Sequence, residues 1–228
     1  MHARITLIAF CLVATLGFSD AGVASMSRDR CARRDARVLL ATPTISVLEM
    51  AGGAVRGRYV ACRRSTGRSV LLGRKYLADD FQVLSRFRIT GSRIAFQTER
   101  SGLGRSPGTL RRIDVRDLRS GRLLRRLPAG EARGAAFIEY EAGDGVRDLE
   151  LSQHGDLAWV VQNPFGLTPP QPNVNTSSRI TEVYVAPRIG QMTLVDQGDD
   201  IGDTSLRRNG CTIRWTRAGM LRSARICP

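Results

Sequence analysis

The densest run of chemistry-bearing side chains is acidic. Asp196, Asp199, Asp200 and Asp203 crowd one short stretch. Carboxylates at this spacing supply the oxygen ligands that calcium takes. The run lacks the D-x-D-x-D-G order of a calcium loop, and Asp is also favoured in tight turns for conformational reasons. Calcium is therefore a candidate set against a plain turn, and the reading is no metal and no cofactor. A second group is Glu139, Glu141, Asp144 and Asp148. Paired carboxylates hydrolyse glycosides only when they face each other across a cleft. The sequence places no such pair, so a solvated surface is expected and an acidic hydrolase is the alternative. Ser-His-Asp catalysis needs a base held between nucleophile and carboxylate. His2 and His154 are the only histidines, and His154 falls in a predicted surface turn. There is no G-x-S-x-G, P-loop or G-x-G-x-x-G; the glycines of 102–108 precede no predicted helix. The residues point away from an enzyme.

Five cysteines are present, and Cys11 lies in the apolar start of the chain. The other four, Cys31, Cys62, Cys211 and Cys227, read as two disulfides in an exported chain, with three pairings open. Cys211 and Cys227 flank a predicted hairpin around Ala218-Gly219, which suggests Cys211–Cys227 and, by exclusion, Cys31–Cys62. If Ile213 and Trp215 share a face with Ala224 and Ile226, Cys227 falls one residue off register. A bulge or a frayed end must then close the bond. No CxxC is present, so zinc is not the reading.

Export is read from the N-terminus. His2 and Arg4 form a short basic start, Ile5–Phe18 is apolar apart from Thr6 and Thr15, and small residues end at Gly22-Val23-Ala24. That is a signal peptide over 1–24 cleaved after Ala24. The run is short for a bilayer span, so a soluble, secreted or envelope protein is expected. Residues 25–36 form an N-terminal extension. The net charge is +14, and Lys75 is the only lysine among 35 basic residues. Such one-sided arginine usage fits genome composition, yet also fits binding of an anionic polymer by counterion release. The doublets Arg111-Arg112, Arg125-Arg126 and Arg207-Arg208 do not each form one patch, because adjacent residues on a strand point to opposite faces. Aromatic content is 6%, which argues against base stacking on single strands.

The strands expected around these residues follow a repeating pattern. Phe87 and Ile89 precede Gly91, and Ile94 and Phe96 follow it. Leu149 and Leu151 precede Gly155, and Leu157, Trp159 and Val161 follow. Ile213 and Trp215 follow Gly210. Each is a two-residue alternation broken by a glycine turn, the pattern of a half-buried hairpin. Arg37–Met50 is a degenerate further copy. A second hairpin follows the first: Tyr59–Leu72 turns at Thr66-Gly67-Arg68, Ile113–Arg126 at Ser120-Gly121-Arg122, and Val183–Val195 at Gly190. The units are 37–73, 81–127, 146–196 and 203–227, the last without an outer strand. Four-stranded units of roughly 40 residues predict a propeller-like domain over 37–228. An open or barrel-like stack of antiparallel sheets is the alternative. Closure of a ring would need an N-terminal segment, Arg37–Thr42, to complete the last unit.

The stretches "LELSQHGDLAWVV" followed by "VYVAP", and "FRITGSRIAFQTE" followed by "RIDVRDLRSGRLL", resemble blades of TolB-like and related bacterial propellers. The ending Ser205-Leu206, Trp215, Arg222-Ser223-Ala224 is also similar to that of a set of exported bacterial proteins. The resemblance covers about residues 37–226 and implies blade architecture; it implies no activity. Two insertions interrupt the pattern, Arg100–Gly108 and Gln162–Ser178. Long loops in a compact domain often carry function, so Phe165 and Leu167 are candidate partner contacts. Asn175-Thr176-Ser177 matches a glycosylation sequon, read as coincidence in a bacterial-type chain. The sequence thus predicts an exported, non-catalytic module that binds a protein or envelope partner, with an anionic polymer as the rival ligand.

Overall fold

The computed structural model describes residues 30–52, 56–76, 80–102, 108–130, 145–163 and 180–227. These residues form fifteen strands and no helix. None is therefore in a helix long and apolar enough to cross a membrane. The strands make four antiparallel sheets, none closed into a barrel. The first holds β1 (Ala36–Ala41), β2 (Ile45–Ala51), β3 (Arg56–Arg63) and β4 (Ser69–Tyr76); the second holds β5 (Asp80–Thr90), β6 (Arg93–Gly102), β7 (Gly108–Asp117) and β8 (Leu123–Pro128). The third holds β9 (Val146–Leu151), β10 (Leu157–Asn163), β11 (Ile180–Ala186) and β12 (Thr193–Gly198); the fourth holds β13 (Arg207–Asn209), β14 (Thr212–Arg217) and β15 (Met220–Arg225). Within each sheet the strand order is the chain order.

The turn glycines set these meanders. Gly121 has φ +76°, and a Cβ placed on it would lie 2.8 Å from Cγ1 of Val70 in the first sheet. It therefore serves the turn and the approach of two sheets together. Ala218 and Gly219, at φ +50° and +74°, form the consecutive positive-φ pair whose twist matches a two-residue hairpin.

Alternation then sorts the side chains into layers. Val47, Tyr59, Ala61 and Leu72 of the first sheet pack on Leu84, Phe87, Ile94 and Phe96 of the second. Ala95, Ile113 and Val115 turn the other way, onto Leu149, Leu151, Leu157, Trp159 and Tyr184 of the third. Ala158, Val160, Val183 and Val185 pack on Leu206, Ile213, Trp215 and Ile226 of the fourth. A fourth cluster, Leu48, Met50, Val60, Cys31 and Cys62, occupies the far face of the first sheet. The two middle sheets are apolar on both faces, and the sheets stack in chain order. No apolar cluster among the described residues joins the fourth sheet to the first.

The segment Arg37–Thr42 does not complete the last sheet. Arg37 lies opposite Glu49 and Val38 opposite Leu48 in the first sheet. Thr42 closes that hairpin locally: its backbone N–H donates to the Ile45 carbonyl at 2.8 Å, and its Oγ1 accepts from the Ile45 N–H at 3.0 Å. A three-residue closure costs far less chain entropy than a return across the whole chain, and the fourth sheet stays three-stranded. The disulfides are Cys31–Cys62 and Cys211–Cys227, with Cα separations of 5.8 and 5.2 Å. The one-residue offset is absorbed by fraying. The Ile226 N–H still donates to the Cys211 carbonyl at 2.8 Å, but β15 has ended at Arg225, and Cys227 leaves the ladder to meet Cys211. The predicted signal peptide, Phe165, Leu167, Glu139, Glu141, Asp144 and the sequon lie outside the described residues.

Candidate functional site

The first strands of consecutive sheets meet along a polar seam. In β5 the order Arg86-Phe87-Arg88-Ile89-Thr90 sends Phe87 and Ile89 toward the first sheet. Arg86, Arg88 and Thr90 go to the third. Arg86 Nε donates to the Val146 carbonyl at 2.9 Å, Arg88 Nη2 to Asp148 Oδ1 at 3.0 Å, and Thr90 Oγ1 to the Leu151 carbonyl at 3.0 Å. Arg86 holds φ +53° beside a bulge between Ser85 and Arg88, a conformation non-glycine residues avoid.

Asp148 is the hub of this seam and corrects the expectation of a solvated carboxylate. Its side chain is 5% exposed. Besides Arg88, its oxygens accept from the Leu149 N–H at 3.0 Å and from the Leu206 N–H, in the fourth sheet's lead-in, at 3.1 Å. Arg207 Nη1 stands 3.7 Å away. A buried carboxylate persists only when donors replace its water, and these come from three consecutive sheets. Two residues along β9, Glu150 stands 4.0 Å from Arg88. Burial holds its carboxyl above the ordinary range, with Asp148 adding to the shift and Arg88 opposing it. Asp148 and Glu150 follow one another on a single strand rather than facing across a cleft, and Asp148 is occupied by structural donors.

The calcium candidates separate in the same way. Asp196 accepts from Trp215 Nε1 at 2.7 Å and from Arg217 Nη1 at 2.6 Å. Asp200 accepts from Arg217 Nε at 3.0 Å, and Asp203 from Thr181 Oγ1 at 3.5 Å. A guanidinium thus stands where two of these carboxylates converge. Among the described residues no group of three or more His, Cys, Asp or Glu side chains is arranged to hold a metal.

A cleft of about 170 Å³ opens at the turn end of the second and third sheets. Its walls are Arg93 of β6, Leu124 and Arg125 of β8, Val115 of β7, His154-Gly155 of the β9–β10 turn, and Arg188 of the β11–β12 turn. Arg125 Nη2 donates to the Gly190 carbonyl at 2.8 Å, and its Nη1 reaches the Pro187 carbonyl; Arg93 Nη1 reaches the Gln153 carbonyl. Burial lowers the pKa of Arg125, and Asp156 opposes that shift. Asp156 is buried and accepts from Ser152 Oγ at 2.7 Å and from the Arg188 backbone N–H at 2.7 Å. His154 is an exposed turn residue, as expected.

The fourth sheet ends the stack and shows solvent its outer face. Register places Arg207, Arg214 and Arg225 there, on the opposite side from Ile213 and Trp215, with only uncharged residues between them. Arg207 lies directly opposite Arg214. Arg214 and Arg225 are exposed, and among the described residues neither side chain has a hydrogen bond or ion pair. Like charges directly opposed across a ladder are destabilising.

No protein-family model, curated protein or solved structure matches the chain. The sequence places His154 in a surface turn and gives it no site role, shows Arg125 only as part of a doublet, and does not single out Arg93 or Arg188. A signal for them existed in the aligned repeats. Arg93 follows Gly91, Arg125 follows Gly121, His154 precedes Gly155 and Arg188 precedes Gly190. A meander brings all four turns to one end of the sheets.

Proposed function

We propose that this protein is an exported, non-catalytic module of propeller-like build that binds an anionic polymer of the cell envelope. The observation that carries this reading is the outer face of the fourth sheet, which carries Arg207, Arg214 and Arg225; among the described residues Arg214 and Arg225 stand without a carboxylate, while Arg207 has Asp148 at 3.7 Å. An anionic polymer laid there relieves the Arg207–Arg214 repulsion and releases its own counterions. Four meanders stacked through apolar layers support the propeller-like build, and two disulfides with the leader-like start support export. The occupation of Asp148 by three donors favours binding over acid-base chemistry.

The test is a salt titration of binding to a purified anionic polymer such as polyphosphate. With about three arginines engaged, log K falls against log salt with a slope of roughly −2 to −3. The double variant Arg214→Glu/Arg225→Glu abolishes most of the binding and flattens the slope. Binding that ignores salt, or that survives the double variant, overturns the reading. Capture of a discrete protein from envelope extract at both low and high salt would return the protein-partner alternative.

A further inference from the structure

We propose that the cleft between the second and third sheets is a receptor for a single phosphoryl group. Three arginines, Arg93, Arg125 and Arg188, line it together with His154. Two of these side chains meet beside Gly155: a Cβ placed there would lie 3.5 Å from Arg93 Nε and 3.8 Å from Arg188 Cγ. Asp156 is the carboxylate that acts on Arg125, and it is turned inward onto Ser152 Oγ and the Arg188 N–H. The three guanidiniums and this carboxylate leave the cleft with a net +2, the complement of a phosphoryl dianion.

The arms are held before any ligand arrives. Arg125 is anchored by the Pro187 and Gly190 carbonyls, and Arg93 by the Gln153 carbonyl. Each of these bonds ties the second sheet to a turn of the third. Each guanidinium has five N–H donors, so both keep donors beyond those anchors. Among the described residues the Arg188 side chain has no hydrogen bond or ion pair. A flat carboxylate is satisfied by one guanidinium fork, whereas a tetrahedral group offers oxygens to forks from several directions. The volume of about 170 Å³ is an order of magnitude above the roughly 10–15 Å³ that one water needs. Val115 and Leu124 form an apolar wall on which a small organic substituent of a phosphomonoester can rest.

The experiment uses the exported protein with both disulfides formed and its histidines isotopically labelled. The His154 imidazole signals, assigned with His154→Asn, are followed by NMR while inorganic phosphate is added against chloride of equal ionic strength. A saturable shift with phosphate and none with chloride is expected, and Arg188→Ala weakens the phosphate affinity by about tenfold. Equal shifts in phosphate and chloride overturn the proposal, as does an unchanged affinity in Arg188→Ala. A parallel arm uses glycerol 3-phosphate. Tighter binding of the ester than of inorganic phosphate assigns the cleft to a phosphorylated head group, and the reverse assigns it to free phosphate. Arg214→Glu/Arg225→Glu leaves this titration unchanged, so failure of the polymer reading and failure of the cleft are read separately.

Discussion

Replacing Asp148 by alanine removes the group that ties three consecutive sheets. The Leu206 and Leu149 N–H groups lose a charged acceptor at 3.1 and 3.0 Å, and both residues are fully buried. Arg88 loses its carboxylate at 3.0 Å, but its side chain is 43% exposed, so water screens most of that loss. A buried donor left unsatisfied costs about 1–3 kcal/mol. Two such donors, together with the vacated side-chain volume, set the destabilisation at about 3–5 kcal/mol. With a urea m-value of roughly 2 kcal/mol/M, the unfolding midpoint falls by about 1.5–2.5 M. Trp159 of the third sheet and Trp215 of the fourth, both buried, report the transition by fluorescence. Arg207→Ala is the control, because that side chain is 73% exposed and its loss costs at most about 1 kcal/mol. A midpoint for Asp148→Ala within a few tenths molar of wild type, or equal to that of Arg207→Ala, would refute the role given to this carboxylate.

Three further outcomes are expected. Glu150→Gln raises the unfolding midpoint at pH 7, because burial makes ionisation of Glu150 harder in the folded state than in the unfolded chain. Its ionisation therefore removes stability as pH rises from the ordinary carboxylate range through the raised folded pKa, and the gain from glutamine vanishes in acid, where both states hold the proton; a gain that grows toward low pH contradicts this. Gly121→Ala is destabilising by about 1–3 kcal/mol in urea melts, since alanine must adopt positive φ and also meet Val70; Gly91→Ala, with nothing within 4 Å of its Cβ, is the milder comparison. Opening Cys211–Cys227 by Cys→Ser changes costs about 3 kcal/mol and opening Cys31–Cys62 about 4 kcal/mol on the chain-entropy model, from loop separations of 16 and 31. The two thermal shifts, measured side by side, check that order.

The strand plan was legible because its determinants are local. Gly67, Gly91, Gly121, Gly155, Gly190, Gly210 and Gly219 all carry positive φ, and each marks a turn that two-residue alternation already framed. The disulfide pairing followed from one hairpin. Asp148 was misread because its neighbours in sequence are charged, while its burial is decided by Arg88 and Leu206, some sixty residues away on either side. The cleft was hidden for the same reason. Arg93, Arg125, His154 and Arg188 each lie near a turn glycine of the repeat, but only the stacking of two sheets makes them neighbours.

Both covalent links fall in the outermost sheets, Cys31–Cys62 in the first and Cys211–Cys227 in the last. In a one-dimensional array each unit draws stability from its neighbours, and a terminal unit has only one. The chain thus places a clamp at each position where neighbours run out and none in the interior, which holds itself by apolar contact on both sides. Such a molecule is built to fray from its ends when reduced, while the second and third sheets persist as a residual core. Its integrity under oxidising conditions and its vulnerability under reducing ones are then two readings of one redox-dependent boundary.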